Sequence, residues 1–411
     1  RSHPSGALMH KILADVYKKG NLAGYLSRTD HGDTAYTYAE NYIEFDGKPI
    51  SSTLPIRAEA YLYGSGALPP FFTGLLPEGR RLTGLRQHLK VSSDDELRML
   101  IAVGADTVGD VQVVPHGDQP AQLVVPDGHD IIQSQNFHDI TFSEIITQQS
   151  VIDPASIPGV QDKVSGKMLT IPLQSNEDFY LLKVSPPEYP HVVENEAFFL
   201  TIAHGIHASP GVVSHRLVHD ATGRPGLLIR RFDRYVDEHG MAHRLAVEDA
   251  CQLNNRYPAD KYNLTAEQSA HAILRQVFST RLAAPEIFRQ FVYAWLTGNG
   301  DLHAKNLSIV ENRKGQYELS PIYDIPSTAP YGDKNMAILL RSKRDGLSRR
   351  KFLEFAHELG ISAKIADRVL REVLSATESM LEQAQEELPF DSHRLKQLTK
   401  VLKNRRLSLL P

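Results

Sequence analysis

The stretch Asp301-Leu302-His303-Ala304-Lys305-Asn306 follows a strongly apolar helical stripe in which Ile287, Phe291 and Trp295 run beside Phe288, Val292 and Leu296. Phosphoryl transfer needs a carboxylate that orients an attacking hydroxyl and accepts its proton. It also needs a hard oxygen ligand for Mg2+ close by. An Asp with an Asn five residues on supplies both from one loop. Downstream, residues 307–310 and 316–319 are β-prone with Gly315 between them, and Asp324 follows the hairpin they predict. Oxygens from Asp301, Asn306 and Asp324 are therefore expected to converge on one phosphate-bearing metal site. Asp and Asn also cap turns routinely, and either residue alone supports no more than that. Their common order is what points to phosphoryl transfer.

Working outward, Lys183 ends the apolar run Phe179-Tyr180-Leu181-Leu182. A lysine on a strand of a small lobe is how kinases set a cation on the α- and β-phosphates, steadied by a glutamate from a helix. Glu194 and Glu196 open the next helical segment, and Glu196 is preferred because it heads the stripe Phe199, Leu200. The plainer readings are a surface lysine at a strand end and a first-turn partner of the helix dipole. Upstream, Ser156-Ile-Pro-Gly-Val-Gln-Asp-Lys163 has one glycine and by itself reads as a turn. Its place before two strands and Lys183 raises it to a phosphate-loop candidate.

Strands are expected at 11–16, 22–28 and 34–43, parted by Gly20, Gly32 and Asp33. After Pro69-Pro70 the apolar spacing turns helical over 71–103, with Ser92 or Ser93 as N-caps, and 104–114 returns to strand. Residues 9–115 form one mixed unit, and the polar run 116–140 reads as linker. Strands at 164–171 and 178–184, a helix at 193–207 and a strand at 226–230 make a small nucleotide-binding lobe within 116–235. Residues 236–411 are mostly helical. Pro285 is placed in a first turn. Ile365, Val369, Val373, Met380 and Ala384 mark one long helix, and Asp391 or Ser392 caps a last one.

Composition limits the function classes. The 411 residues are 41% apolar and 23% charged, with a net charge of −4. That excludes a chain-wide nucleic-acid glove, and no apolar run is long enough to predict a membrane-spanning helix. No secretory leader is expected, since the first residues lack the basic, apolar, small-residue order of one; no disulfide is expected with Cys251 as the single cysteine, and a reducing cytoplasm is the expected compartment. Cys251 and Trp295 read as core residues. Arg349-Arg350-Lys351 and the basic last helix (Arg394, Lys396, Lys400, Lys403, Arg405, Arg406) read first as solvated faces.

Together these blocks resemble the HipA family of serine/threonine-protein kinase toxins. The resemblance rests on 156–163, Leu181-Leu182-Lys183, Val193-Glu-Asn-Glu196, Arg231-Phe-Asp-Arg234, Glu248-Asp-Ala-Cys-Gln252, 301–306 and Tyr323-Asp324, with Pro70-Phe-Phe and Leu75-Leu-Pro-Glu-Gly79 near the start. It covers nearly the whole chain. It implies an α+β, protein-kinase-like bilobal fold, with a small β-rich lobe, an extra N-terminal subdomain and a helical C-terminal lobe. By the resemblance, Asp301 would be the catalytic base, and Asn306 and Asp324 would hold Mg2+. Pro158, Gly159, Val160, Gln161, Asp162 and Lys163 would cover the ATP phosphates, which Lys183 would meet. Arg230, Arg231 and Phe232 would form the hinge strand at adenine, partly through backbone groups. His303, Ala304 and Lys305 would lie near the phosphates beside Tyr323. Ser156 matches a serine that family members phosphorylate on themselves to shut the enzyme off, although Pro158 stands where small residues are usual.

The resemblance further implies a HipB-like antitoxin, operator DNA reached mainly through it, and a protein substrate such as an aminoacyl-tRNA synthetase. The cluster at Arg349, Arg350 and Lys351 would be a direct DNA contact. Two other readings stand beside the toxin kinase. Gly300-Asp-Leu-His303 followed by Asn306 also resembles aminoglycoside-type small-molecule kinases. A pseudokinase bridging antitoxin and DNA predicts loss of one of Lys183, Asp301, Asn306 or Asp324, and all four are present.

Overall fold

The computed structural model describes residues 11–90, 95–123, 136–148, 169–174, 178–207 and 210–411. The expected phosphate loop and Ser156 lie outside the described residues, as do the cap candidates Ser92 and Ser93.

The first unit is an antiparallel sheet of β1 (Lys11–Lys18), β2 (Asn21–Arg28), β3 (Thr34–Tyr38), β4 (Tyr61–Tyr63) and β5 (Val111–Pro115), in the order β4-β3-β2-β1-β5. The third strand stops short of residue 43, because α1 (Glu40–Glu44) begins almost directly after it. The expected helical stretch 71–103 divides into α2 (Pro70–Thr73), α3 (Gly79–Leu89) and α4 (Glu96–Val103), the last capped by the Asp95 side chain on the Arg98 amide. Phe71, Phe72, Leu97, Met99 and Leu100 pack on Val16, Leu26 and Tyr36 to make this unit's core. Burial of such a set drives the unit together, at roughly 25 cal/mol per Å2 of apolar surface.

A second antiparallel sheet, ordered β6-β7-β9-β8, holds β6 (Leu169–Gln174), β7 (Phe179–Val184), β8 (His215–His219) and β9 (Pro225–Arg230). One side is covered by α5 (Phe142–Gln148), whose Phe142 and Ile145 meet Leu182, Val184 and Leu228. Gly226 is required there, since a Cβ would lie 2.8 Å from the Phe142 ring. On the other side runs α6 (Val192–His204), buried along most of its circumference.

The chain then crosses through the hairpin β10 (Arg234–Val236) and β11 (Ala242–Arg244) into the helical unit. There β12 (Val247–Asp249), β13 (Ser308–Glu311) and β14 (Tyr317–Leu319) form a small sheet, with α7 (Ala250–Leu253) and α8 (Ala266–Leu274) in the chain between its first two strands. The spine is α9 (Thr280–Thr297), against which α10 (Arg349–Glu358), α11 (Ala363–Ala376) and α13 (Ser392–Leu409) pack. Pro285 sits in the second turn of α9, not the first. It therefore deprives the Arg281 carbonyl of its intrahelical donor.

The single long helix expected over 365–384 is two helices, α11 and α12 (Met380–Glu387). They part at Thr377, whose hydroxyl bonds back to the Val373 carbonyl at 2.7 Å. Trp295 is buried as expected, and Arg405 is buried against it rather than solvated, with its guanidinium 3.9 Å from the ring centroid. Cys251 is also a core residue. Among the described residues no helix is long and apolar enough to cross a membrane.

Candidate active site

Lys183 points from β7 into the cleft between the small sheet and the helical unit. Its Nζ lies 2.9 and 3.1 Å from the two carboxylate oxygens of Glu196 on α6 and also pairs with Asp324. The expected partner is thus Glu196, while Glu194 turns to His191 at 3.0 Å. Glu196 is fully buried and Lys183 nearly so. Burial alone lowers a lysine, but the Asp324 and Glu196 carboxylates outweigh it and hold the Lys183 ammonium above its ordinary range. For Glu196 burial is the leading effect and pushes the carboxyl upward, with Lys183 opposing it. Asp324 has φ 56°, a left-handed conformation that Asp tolerates better than most residues, in the turn that brings its carboxylate to Lys183.

Helix α9 ends at Gly298, whose φ of 68° terminates the helix in a left-handed cap. The chain then enters a buried loop stitched by its own polar groups. The Asn299 Oδ1 accepts the Asp301 amide at 2.9 Å, and the Thr328 hydroxyl accepts the Gly300 amide at 2.9 Å. A side chain at 300 would strike the Asn335 carbonyl at 2.5 Å. Asn306 donates its side-chain NH2 to the Asp301 carbonyl at 2.9 Å. This settles which end of the amide is used for structure and turns its oxygen away, ready to act as a ligand.

Asp301 itself is fully buried, 3.5 Å from the Tyr262 hydroxyl and 3.9 Å from the His303 Nε2. The Lys305 amide donates to the His303 Nδ1 at 3.2 Å. Because Nδ1 accepts that bond, the ring proton sits on Nε2, the nitrogen facing Asp301. Tyr323 joins this loop to Asp324, since its hydroxyl donates to the Lys305 carbonyl at 2.9 Å.

Lys305 is engaged within the fold. Its ammonium is buried 2.7 Å from the Asp249 carboxylate, which neutralises it, with the Gly74 carbonyl of the first unit at 3.4 Å. The hinge expectation also sharpens. The Arg230 and Arg231 amides are taken by the Ser214 and Phe179 carbonyls, at 2.9 and 2.8 Å. Arg230 pairs with Asp178, and Arg231 with Asp233. Phe232 presents a ring, 5.6 Å centroid to centroid from Tyr323. The basic cluster opening α10 is largely paired: Arg349 with Asp367, and Arg350 and Lys351 with Glu354 at 3.2 and 3.0 Å.

Sequence reasoning passes over Asn299, Thr328 and Tyr262. Each is an ordinary loop or core residue by local pattern, and the roles of Thr328 and Tyr262 rest on contacts spanning dozens of residues. Hard oxygen donors from one carboxylate and one amide suit Mg2+, which characteristically takes few protein ligands and completes its shell with phosphate and water. Among the described residues no group of three or more His, Cys, Asp or Glu assembles as an alternative metal centre.

Comparison with known proteins agrees along the length of the chain. The family model of the HipA-like C-terminal domain matches residues 155–381, and that of the HipA N-terminal domain matches 14–114. A putative kinase, Y4mE of Sinorhizobium fredii, is 28% identical over 384 residues, spanning 89% of this chain and 90% of that protein. The serine/threonine-protein kinase toxin HipA of Shewanella oneidensis is 27% identical over 335 residues, spanning 73% of this chain and 72% of the relative. Among solved structures, the Shewanella oneidensis HipA, HipB and operator DNA complex superposes with a TM-score of 0.72 at 19% identity, covering 97% of this chain and 96% of the other. The fold is the α+β, bilobal, protein-kinase-like one, and the chain belongs to the HipA family.

Proposed function

We propose that this chain is an ATP-dependent serine/threonine protein kinase of the toxin type. The observation that carries the reading is the Lys183 ammonium held between Glu196 and Asp324, one tyrosine away from the loop that bonds Asn306 to Asp301. Lys183 meets the α- and β-phosphates of ATP, the loop Pro158 to Lys163 covers them, and His303 and Ala304 shape the floor below. At the hinge the Phe232 ring is the contact group for adenine, since the Arg230 and Arg231 amides are engaged within the fold.

Asp301 accepts the proton of a serine or threonine hydroxyl as that oxygen bonds to the γ-phosphorus. The bond to the β–γ bridging oxygen breaks, and ADP leaves. Asn306 and Asp324 hold Mg2+, which when bound neutralises charge on the phosphate oxygens. The His303 Nε2 lies 3.9 Å from the Asp301 carboxylate, on the side of the loop where the acceptor hydroxyl would arrive.

Ser156, immediately ahead of the phosphate loop, is the proposed site of self-phosphorylation and self-inactivation. A HipB-like antitoxin is the proposed partner, with operator DNA bound mainly through it; the solved Shewanella oneidensis complex, which holds HipA, HipB and operator DNA, supports these two partners. Arg350, the most exposed of the α10 cluster, is the proposed direct phosphate contact beside Arg349 and Lys351. An aminoacyl-tRNA synthetase is the proposed class of substrate, and a reducing cytoplasm suits the lone buried Cys251.

Incubating the unphosphorylated chain with γ-labelled ATP and Mg2+ tests the reading. Label is expected on Ser156 and on protein acceptors, and it should vanish in Asp301→Ala. Label passing only to small hydroxylated acceptors would favour the aminoglycoside-type reading. A wild-type chain that neither binds ATP nor labels would overturn the kinase assignment. Phosphoproteomics after brief expression of wild type against Asp301→Ala then identifies the substrate.

A further inference from the structure

The segment leaving the small sheet is fastened to the first unit as well as to the helical one. Residues 231–234 follow β9 directly, and β11 returns Arg244 opposite Arg234. Asp106, in the turn before β5, faces all three arginines, with carboxylate oxygens 3.3 Å from Arg231, 3.3 Å from Arg234 and 3.5 Å from Arg244. Asp233 adds a second carboxylate, 2.9 Å from Arg231 and 2.8 Å from Arg234, and accepts the Gly109 amide at 2.9 Å. The three guanidiniums are buried, while the Asp106 side chain is 48% exposed.

Three guanidiniums thus face two carboxylates, a surplus of one positive charge in a desolvated place. Arginine does not relieve such a surplus by losing its proton. Removing the Asp106 charge doubles the surplus, and the least supported arginine must then move toward water. Arg244 is that residue, because of the three arginines only Arg231 and Arg234 are hydrogen-bonded to the Asp233 carboxylate. Burial and the neighbouring Arg234 already hold Arg244 down at about 10.

We propose that the first unit sets the geometry of the inter-lobe segment through Asp106, which makes Asp106 a positioning residue for nucleotide binding. The proposal rests on the kinase reading above. Asp106 touches neither nucleotide nor acceptor in that reading. It acts through the three arginines, Arg231 and Arg234 flanking Phe232 and Arg244 lying opposite Arg234 in the hairpin, so its charge governs how much of the population presents a nucleotide-ready hinge.

The test uses the full chain, titrated calorimetrically with ATP and Mg2+, with phosphate incorporation measured at saturating ATP. Asp106→Asn is expected to weaken ATP binding about tenfold while the saturated rate stays within about twofold, as for a shift in the competent population. Adding Arg244→Gln to Asp106→Asn returns the surplus to one charge and is expected to restore most of the affinity. Should Asp106→Asn fail to fold, Asp106→Glu, which keeps the charge, is expected to bind within about threefold of wild type. Unchanged affinity in Asp106→Asn overturns the proposal. An equal loss in the double variant does the same, since it marks a missing contact rather than a charge imbalance, and so does a loss of about tenfold in Asp106→Glu. A wild-type chain that binds no ATP overturns both this proposal and the kinase reading, and the wild-type titration alone separates that failure from the others.

Discussion

Two buried lysines divide the labour of this molecule. The Lys183 and Lys305 side chains are equally enclosed, each 8% exposed, and neighbouring carboxylates hold both ammonium groups above the ordinary lysine range against the pull of burial. Their surroundings differ in balance. Lys183 sits between two carboxylates brought from separate elements, which leaves one negative charge in excess. Lys305 pairs one-to-one with Asp249 and reaches the Gly74 carbonyl of the first unit, while nearby Glu78 has its own partner, Lys261, at 2.9 Å. The first arrangement has charge left for a further cation, whereas the second is already neutral. A buried ion pair is weak evidence of net stability, so the unbalanced one reads as a ligand site and the balanced one as a fastening between units.

That contrast can be broken by experiment. The largest effect is expected at Asp301→Ala, with phosphate incorporation falling about a thousandfold or more while ATP binding and the unfolding midpoint stay near wild type. Next, Lys183→Met and Lys305→Met should each lower stability by about 3 kcal/mol in denaturant melts, because each strands a buried carboxylate. Only Lys183→Met should also cut the rate of the folded fraction, roughly a hundredfold. Equal rate losses in the two variants would erase the distinction.

Glu248, next to Asp249 on β12, sharpens it further. Burial raises this carboxyl to about 7 despite bonds from the Ser52 amide and hydroxyl. A folded-state pKa above the unfolded value means that this group's contribution to stability is full below about pH 4.5 and declines as pH climbs to about 7. Glu248→Gln should remove that slope from a pH series of melts, a difference on the order of 3 kcal/mol. The smallest effect belongs to Arg350→Ala, where an exposed pair with Glu354 is lost and stability should change by less than about 0.5 kcal/mol. Its proposed role predicts weaker, less salt-dependent binding of the antitoxin complex to operator DNA in a filter-binding series.

Much of the site is legible in the sequence because its parts are ordered locally. Asp301 and Asn306 share one loop, the hairpin 308–319 is signalled by β-prone runs around Gly315, and Lys183 ends an apolar strand with Glu196 one turn into the next helix. Three features escape for separate reasons. Strand β8 is an edge strand of mixed polarity, HRLVH, with little buried surface to mark it. The helix at 142–148 lies next to a polar stretch that reads as linker, and its burial comes from Leu182 and Leu228 far along the chain. The break between α11 and α12 keeps the apolar spacing on both sides, so periodicity runs through it undisturbed.

Sequence by itself thus determined the family and the α+β class and singled out candidate residues for phosphoryl transfer, since motif order and periodicity are properties of near neighbours. Only the tertiary structure decided which lysine meets which acid. Lys183 found Asp324 across 141 positions, Lys305 took Asp249 across 56, and Arg231 took Asp106 from the first unit across 125. Coulomb attraction and desolvation depend on distance in space, and spacing along the chain carries no record of that distance.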